Sequence, residues 1–187
     1  MVPEDYKKLI QKVFSSKVFP SYGQLATTTK ENVPQVRTVH FRYLKEDGVL
    51  AFPTHVKSQK WIQLIENPVL SGCIFCNRYL VQLRWEAMAL LIDHNTLDYQ
   101  KERRIVWQKM RRDIREAYWV DYHKNFKSLH DKIDLEEPCP FMGIVINKIY
   151  LWDIWKLNGT NYSKSKRTIY RLKNKKWQPT ESSPLRS

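Results

Sequence analysis

The sequence predicts a mainly β domain of the α+β class: an antiparallel barrel, closed or nearly so, with helices on its periphery. Three observations lead there. Short β-rich runs separated by turn signals fill the stretch from Gly23 to Ile92. Apolar residues recur at helical spacing in only a few segments. A second set of β-rich runs follows the chain-breaking Pro138 and Pro140. No internal repeat or domain boundary is visible, and 187 residues suffice for one domain with a substantial core but not for two ordinary ones.

The elements follow in order. Pro3 suits the first helical position, and Tyr6, Leu9, Ile10, Val13 and Phe14 make an amphipathic helix within residues 1–20 that packs across the sheet. Gly23 to Thr29 is a short strand, Lys30-Glu31-Asn32 a polar turn, and Pro34 to Leu44 the next strand; Asp47-Gly48 then signals a hairpin into Val49 to Pro53. Ser58 to Glu66 places Trp61, Ile62, Leu64 and Ile65 at helical spacing, and Asn67-Pro68 ends it because proline disfavours helix in the residue before it. Leu70 to Cys76 and Leu80 to Ile92 are strands joined at Asn77-Arg78. Tyr99 to Trp119 is a helix with Ile105, Val106, Met110 and Ile114 as an apolar stripe among charges. Phe141 to Trp155 reads as two apolar strand segments, Lys156 to Lys166 as a loop around Asn158-Gly159, and Thr168 to Leu172 with Trp177 as a final hairpin turning at Asn174.

Composition narrows the function classes. Hydrophobic residues at 42%, 13% of the chain being aromatic, exclude a disordered protein. No apolar run reaches membrane-spanning length, and Met1 to Lys8 mixes acids and lysines where a signal peptide has an apolar core, so a soluble cytoplasmic protein is expected. Cys73, Cys76 and Cys139 make no disulfide framework; residues three apart in a strand diverge, so Cys73-x-x-Cys76 reads as structural and no metal site is expected. His40, His55, His94, His123 and His130 lack metal-ligand spacing, and none is assigned to catalysis. The net charge of +13 attracts anions and is concentrated in Lys101 to Arg115 and in Lys164, Lys166, Arg167, Arg171, Lys173, Lys175 and Lys176. Trp152, Trp155, Tyr162, Tyr170 and Trp177 interleave with the tail cations and could stack bases. Without a recognisable nucleic-acid module, two faces of edge strands is the better reading of that alternation.

The stretch from Val36 to Arg84 carries the chemistry. Thr54, Lys57, Ser58 and Lys60 surround the start of a short helix, where free N–H groups, the positive dipole end and an ammonium favour a phosphate monoester. Arg37 offers a two-pronged grip on the same group. Arg42 differs from Arg37 in parity, so the two should face opposite sides of the strand. Gln82, on one face with Arg84 and Glu86, suits the edge of a heteroaromatic ring.

Taken in order, Arg37-Thr38-Val39-His40-Phe41-Arg42, then Thr54, then Ser58-Gln59-Lys60, then Glu66-Asn67-Pro68 and Gln82-Leu83-Arg84 resemble the FMN-binding split barrel of pyridoxamine 5′-phosphate oxidase and its relatives. The similarity extends weakly through Ile149 to Trp152 and Arg167 to Tyr170. It implies one split-barrel domain over residues 1–187, with an N-terminal helix in 1–20, a helical insertion in 98–135 and C-terminal strands in 141–187. It further implies a homodimer with FMN at the interface. Arg37, Thr38, Val39, His40, Arg42, the Pro53-Thr54 turn, Ser58, Gln59 and Lys60 would hold ribityl phosphate and flavin, Gln82 would contact FMN, and Trp152 and Arg167 would approach from the partner chain. The family's reaction is hydride transfer from a substrate carbon to the flavin, with oxygen as the later electron acceptor.

Two departures bear on function. Gln59 stands where the oxidases usually carry arginine, and Ser163 and Ser165 stand where they carry a substrate-contacting arginine and histidine. Serine supplies neither charge nor imidazole, so substrate recognition is altered. Arg104 to Trp107 and Arg115 to Trp119 look more like a related branch of flavin-binding proteins. The expectation is an FMN-dependent oxidoreductase acting on a small substrate. The alternatives are a non-catalytic carrier of flavin or a haem-like ligand, and a basic nucleic-acid binder.

Overall fold

The computed structural model describes residues 2–14, 21–44, 49–126 and 134–182, with side chains omitted for 123–126. The expected Asp47-Gly48 turn, the end of the 1–20 segment, the side chain of His123, and His130 lie outside what is described. In chain order the elements are α1 (Glu4–Phe14), β1 (Tyr22–Thr28), β2 (Pro34–His40), β3 (Arg42–Leu44), β4 (Val49–His55), α2 (Gln59–Glu66), β5 (Val69–Cys76), β6 (Val81–Ile92), α3 (Gln100–Gln108), α4 (Arg112–Phe126), β7 (Met142–Lys156), β8 (Lys166–Lys173) and β9 (Lys176–Ser182). Among the described residues no helix is long and apolar enough to cross a membrane.

All the strands join one antiparallel sheet in the order β2-β1-β5-β6-β7-β4-β3, with the β8–β9 hairpin added beside β7. The two ends of that order, β2 and β3, are consecutive in the chain and separated only by Phe41. A single residue thus carries the chain from one edge of the curled sheet to the other, which is the expected antiparallel split barrel. The 15-residue β7 makes the split: β6 lies along it, while on its other side Met142 to Asn147 pair with β4 and Leu151 to Lys156 pair with β8.

Alternation sorts the side chains into an inner and an outer set. Leu25, Val39, Phe41, Phe52, Leu83, Trp85 and Trp152 point inward and form one core with Ile10, Val13 and Phe14 of α1. Phe41 is edge-on to Phe14, Phe52 and Trp85, its ring 6.2, 5.7 and 4.7 Å from theirs. On the outer face of β4, β6 and β7 a second core gathers Ala51, Ile92, Ile144 and Ile146 beneath Val106, Trp107 and Met110 of the α3 region.

Three elements differ from the sequence reading. The single strand expected over Pro34 to Leu44 is two, β2 and β3, because the chain changes pairing partner at Phe41. Phe141 to Trp155 is one strand rather than two segments: Leu151 faces Glu86 while Ile149 faces Ala87, so Tyr150 is an extra residue in the ladder. That bulge moves the inward set from Val145 to Trp152 and Ile154, and the change of phase mimics a break in the apolar pattern. The single helix expected over Tyr99 to Trp119 is two, because the chain turns at Lys109 to Arg111 where Met110 enters the second core.

Gly72 packs directly against Trp85 in the inner core. A Cβ there would lie 2.1 Å from the Trp85 ring, closer than atoms can approach. Gly72→Ala is expected to destabilise the fold by about 1–3 kcal/mol, the range for overpacking a filled core, as read from chemical denaturation. An unchanged unfolding midpoint would contradict the Trp85 placement.

Candidate functional site

Arg37 lies on the inward-facing side of β2, and its side chain reaches the barrel mouth that α2 covers. Its Nη1 donates to Thr27 Oγ1 at 2.5 Å and Gln35 O at 3.0 Å, and its Nη2 donates to Gln63 Oε1 at 3.0 Å. Thr27 in turn donates to Gln63 Oε1 at 2.6 Å. Thr54, inward on β4, lies 3.0 Å from the Ser58 hydroxyl and accepts from Lys60 Nζ at 3.3 Å. Ser58 occupies the N-cap position of α2 but makes no side-chain cap, so the first helical turn keeps donors unclaimed by it.

Electrostatics ties the two cations together. Burial pulls the Lys60 ammonium below its ordinary pKa, and the charge of Arg37 pulls it further the same way. Burial acts on Arg37 in the same direction. Among the described residues no carboxylate forms an ion pair with either. Two partly desolvated cations near one another, beside two hydroxyls and a helix start, form a site that an anion would stabilise.

The structure brings Arg37, Thr54, Ser58 and Lys60 together, with Gln59 exposed in the same helical turn. It separates the rest. Thr38, His40 and Arg42 lie on the outer face, as the parity argument for Arg37 and Arg42 expects. Thr38 Oγ1 donates to Gln24 at 3.3 Å, and the His40 ring lies 4.7 Å from that of Tyr22. Arg42 pairs across from Ala51 of the second core, and its Nε is buried without a hydrogen-bond partner. Gln82 is on the outer face in register with Phe75 and Trp155, and Trp155 Nε1 is likewise buried and unpartnered. The cradle cations suit a phosphate, and the orphaned donors of Arg42 and Trp155 are ones that polar ring edges on the outer face would satisfy.

Four placements differ from the expected geometry. Pro53 and Thr54 lie within β4 rather than in a turn, and the chain turns after His55. Val39 is core, 8% exposed, so its side chain is not available to a ligand. Trp152 is 0% exposed, its ring 5.5 Å from Trp85 inside this chain's own barrel, so it does not present a face to a partner. Arg167 is 8% exposed and donates through Nε and Nη2 to Asp153 at 2.9 and 2.8 Å. That carboxylate raises the arginine's pKa and already occupies its fork.

Sequence reasoning missed Thr27, Gln63 and Asp153. Gln63 had a legible signal: it lies three residues after Lys60 and interrupts the apolar stripe of α2. His55 ends β4 and is anchored there: its Nδ1 accepts from Lys57 N at 3.0 Å and its Nε2 lies 2.9 Å from Asp121 on α4. Cys73 and Cys76 occupy opposite-parity positions of β5, and no cluster of metal-ligating residues occurs among the described residues.

Residues 3–93 match the model of the family described as pyridoxamine 5′-phosphate oxidase, FMN-binding domain, which bears out the resemblance seen from Arg37 to Arg84. The whole chain shares its fold with a pyridoxamine 5′-phosphate oxidase-related FMN-binding protein from Nostoc punctiforme PCC 73102: TM-score 0.79, 22% identity, 98% of each chain covered. It also resembles PhzG from Burkholderia lata 383, solved with tetrahydrophenazine-1-carboxylic acid, at TM-score 0.66 and 17% identity over 96% of this chain and 90% of that one. These likenesses establish the split-barrel fold. No curated protein matches the sequence.

His40 supplies a test of the outer-face electrostatics. Burial first, and the charge of Arg42 second, push its pKa down to about 4. An unfolded histidine titrates near 6.5, so between about pH 6.5 and 4 the unfolded chain takes a proton that the folded chain refuses. Stability from this group is complete above that window and is lost as pH falls through it. His40→Gln is expected to flatten the acid-side fall of the melting temperature, and parallel wild-type and variant profiles would contradict the assignment.

Proposed function

We propose that this protein binds FMN, with the phosphate in the Arg37–Lys60 cradle and the flavin along the outer face that carries Gln82. The observation that carries the reading is the pair of desolvated cations with no carboxylate between them. The family match over residues 3–93 supports the same ligand. Lys60 and Arg37 would neutralise the phosphate, Thr54 and Ser58 would donate to it, and Gln82 would address the ring edge. Bound FMN would supply a two-electron acceptor for hydride from a substrate carbon, and an oxidoreductase is the activity we infer. The chain's own residues bind and orient; none is assigned a proton-transfer role.

The substrate differs from that of the oxidases. Ser165 is 6% exposed, and its Oγ accepts from Asn158 N at 3.0 Å, while Ser163 Oγ donates to Asn161 Oδ1 at 2.6 Å. Both hydroxyls shape their own loop, and neither replaces a phosphate-binding arginine. That observation also favours the second reading, a flavin carrier without turnover. A nucleic-acid role through α3 and α4 is weakened, because Arg104, Arg111 and Arg112 are paired with Glu137, Asp113 and Glu116.

We infer a homodimer formed through the outer face. Val36, Tyr22, Val69, Phe75 and Met88 stand there exposed, at 64%, 56%, 42%, 46% and 41%, and a second copy would cover them. Sedimentation equilibrium is expected to give the mass of two chains, with Phe75→Lys shifting the equilibrium toward one; a monomeric wild type would refute this.

Reconstituted protein is expected to show flavin absorption bands. Each charge-assisted hydrogen bond contributes about 1.5–3 kcal/mol, so Lys60→Met combined with Arg37→Met should weaken FMN binding roughly a hundredfold or more. Fluorescence titration measures this, with circular dichroism as the control for folding. Wild-type protein that takes up no flavin would overturn the proposal, and flavin uptake without reduction by any amine, pyridoxine phosphate or nicotinamide donor would select the carrier.

A further inference from the structure

A groove of about 770 Å³ lies between α1 and the C-terminal strands, lined by none of the cradle residues. Its volume falls within the range of small-ligand sites, roughly 300–1,000 Å³. Lys8 and Lys12 reach it from α1, one helical turn apart, and Lys156 and Lys166 reach it from β7 and β8. Lys156 and Lys166 are direct cross-strand partners.

Each pair sets like charges against one another. Lysines four apart on a helix destabilise it, and like charges directly opposite in an antiparallel ladder do the same. Among the described residues none of the four forms an ion pair. Two acids, Asp5 and Glu181, share the lining, so the four lysines leave an excess of two positive charges. Asp5 is engaged otherwise, accepting from the Tyr170 hydroxyl at 3.3 Å. The walls between these charges are aromatic, with Tyr6 edge-on to Tyr170 at 5.9 Å and Tyr79 half-buried beside them.

We propose that this groove is a second binding site, separate from the flavin cradle, for an organic phosphate of nucleotide size: the lysine pairs take the phosphate, and the half-buried Tyr6 and Tyr79 take a planar ring. A bound phosphate would convert both repulsive pairs into bridges to one anion, which accounts for an arrangement that is otherwise only unfavourable. A free nucleotide and a single strand of nucleic acid share that chemistry, since both offer phosphate beside a stackable base.

The test uses the full-length protein and two probes, N-methylanthraniloyl-AMP and a fluorescein-labelled thymidine oligomer, followed by fluorescence anisotropy. The nucleotide is expected to saturate the wild type, Lys156→Gln/Lys166→Gln to bind it roughly tenfold or more weakly, and Lys60→Met to bind it as the wild type does. The double variant should also melt no lower than the wild type without ligand, because the opposed charges are gone, and should lose the melting shift that AMP produces. An oligomer that binds more tightly than the nucleotide and fails with the same variant would support the site and identify a strand as the phosphate's source. Equal binding by wild type and double variant, loss of binding with Lys60→Met alone, or saturation by neither probe would overturn the proposal. The Lys60→Met arm keeps this outcome distinct from any failure of the flavin reading.

Discussion

The geometry of the molecule depends on the passage of the chain through Phe41. One residue separates β2, which pairs with β1, from β3, which pairs with β4, yet the in–out alternation runs on unbroken from Arg37 to Tyr43. Phe41 must therefore point inward, where Phe14, Phe52 and Trp85 surround it. With that phase set, Arg37 projects toward the covered mouth of the barrel while His40 and Arg42 project to the outside. Had the crossover held one residue more, the same strand would have presented the opposite set.

The cradle needs α2 as much as it needs β2. Trp61 and Leu64 bury one side of the helix in the inner core, and Gln63, also buried, meets Arg37 and Thr27. That contact holds the arginine's position without neutralising it, since an amide oxygen carries no formal charge. Lys60, one turn earlier, keeps its charge unneutralised for the same reason: its hydrogen-bond partner is the Thr54 hydroxyl. Neutral partners keep the geometry while leaving the charge for a ligand, which is how a fold can preorganise an anion site before the anion arrives.

Much of this was legible in the sequence, and the exceptions have physical causes. Period-two runs located the strands, and parity placed Arg37 and Arg42 on opposite faces. The bulge at Tyr150 was not legible, because an extra ladder residue alters phase without altering composition. Trp152 looked like a ligand by its neighbours in the chain, but that change of phase turns it inward onto Trp85. Arg167 looked available for a similar reason. Its partner Asp153 lies on the adjacent strand, and cross-strand register cannot be read from either segment alone. Within the cradle, hydroxyls and cations near the helix start were visible by spacing, whereas Thr27 joins through a contact 36 residues distant from Gln63.

The distribution of ion pairs separates cations held by a carboxylate from those that are not. Arg167 is buried against Asp153, with Arg84 3.6 Å from the same carboxylate, and breaking such a pair would strand a charge in the interior. Arg104, Arg111 and Arg112 meet acids at the surface, where the pairs contribute little but leave little field behind. Removing the three surface pairs from a net charge of +13 does not change the total, since each is already neutral within it. Part of the excess resides in cations that form no ion pair among the described residues, including Arg37 with Lys60, Arg42 on the outer face, and the lysines between α1 and the last strands. Such groups repel one another in the folded state more than in an extended chain, so folding carries them at a loss of stability. A sequence that keeps them near desolvated donors and aromatic walls has placed its unfavourable charge where anions can be bound.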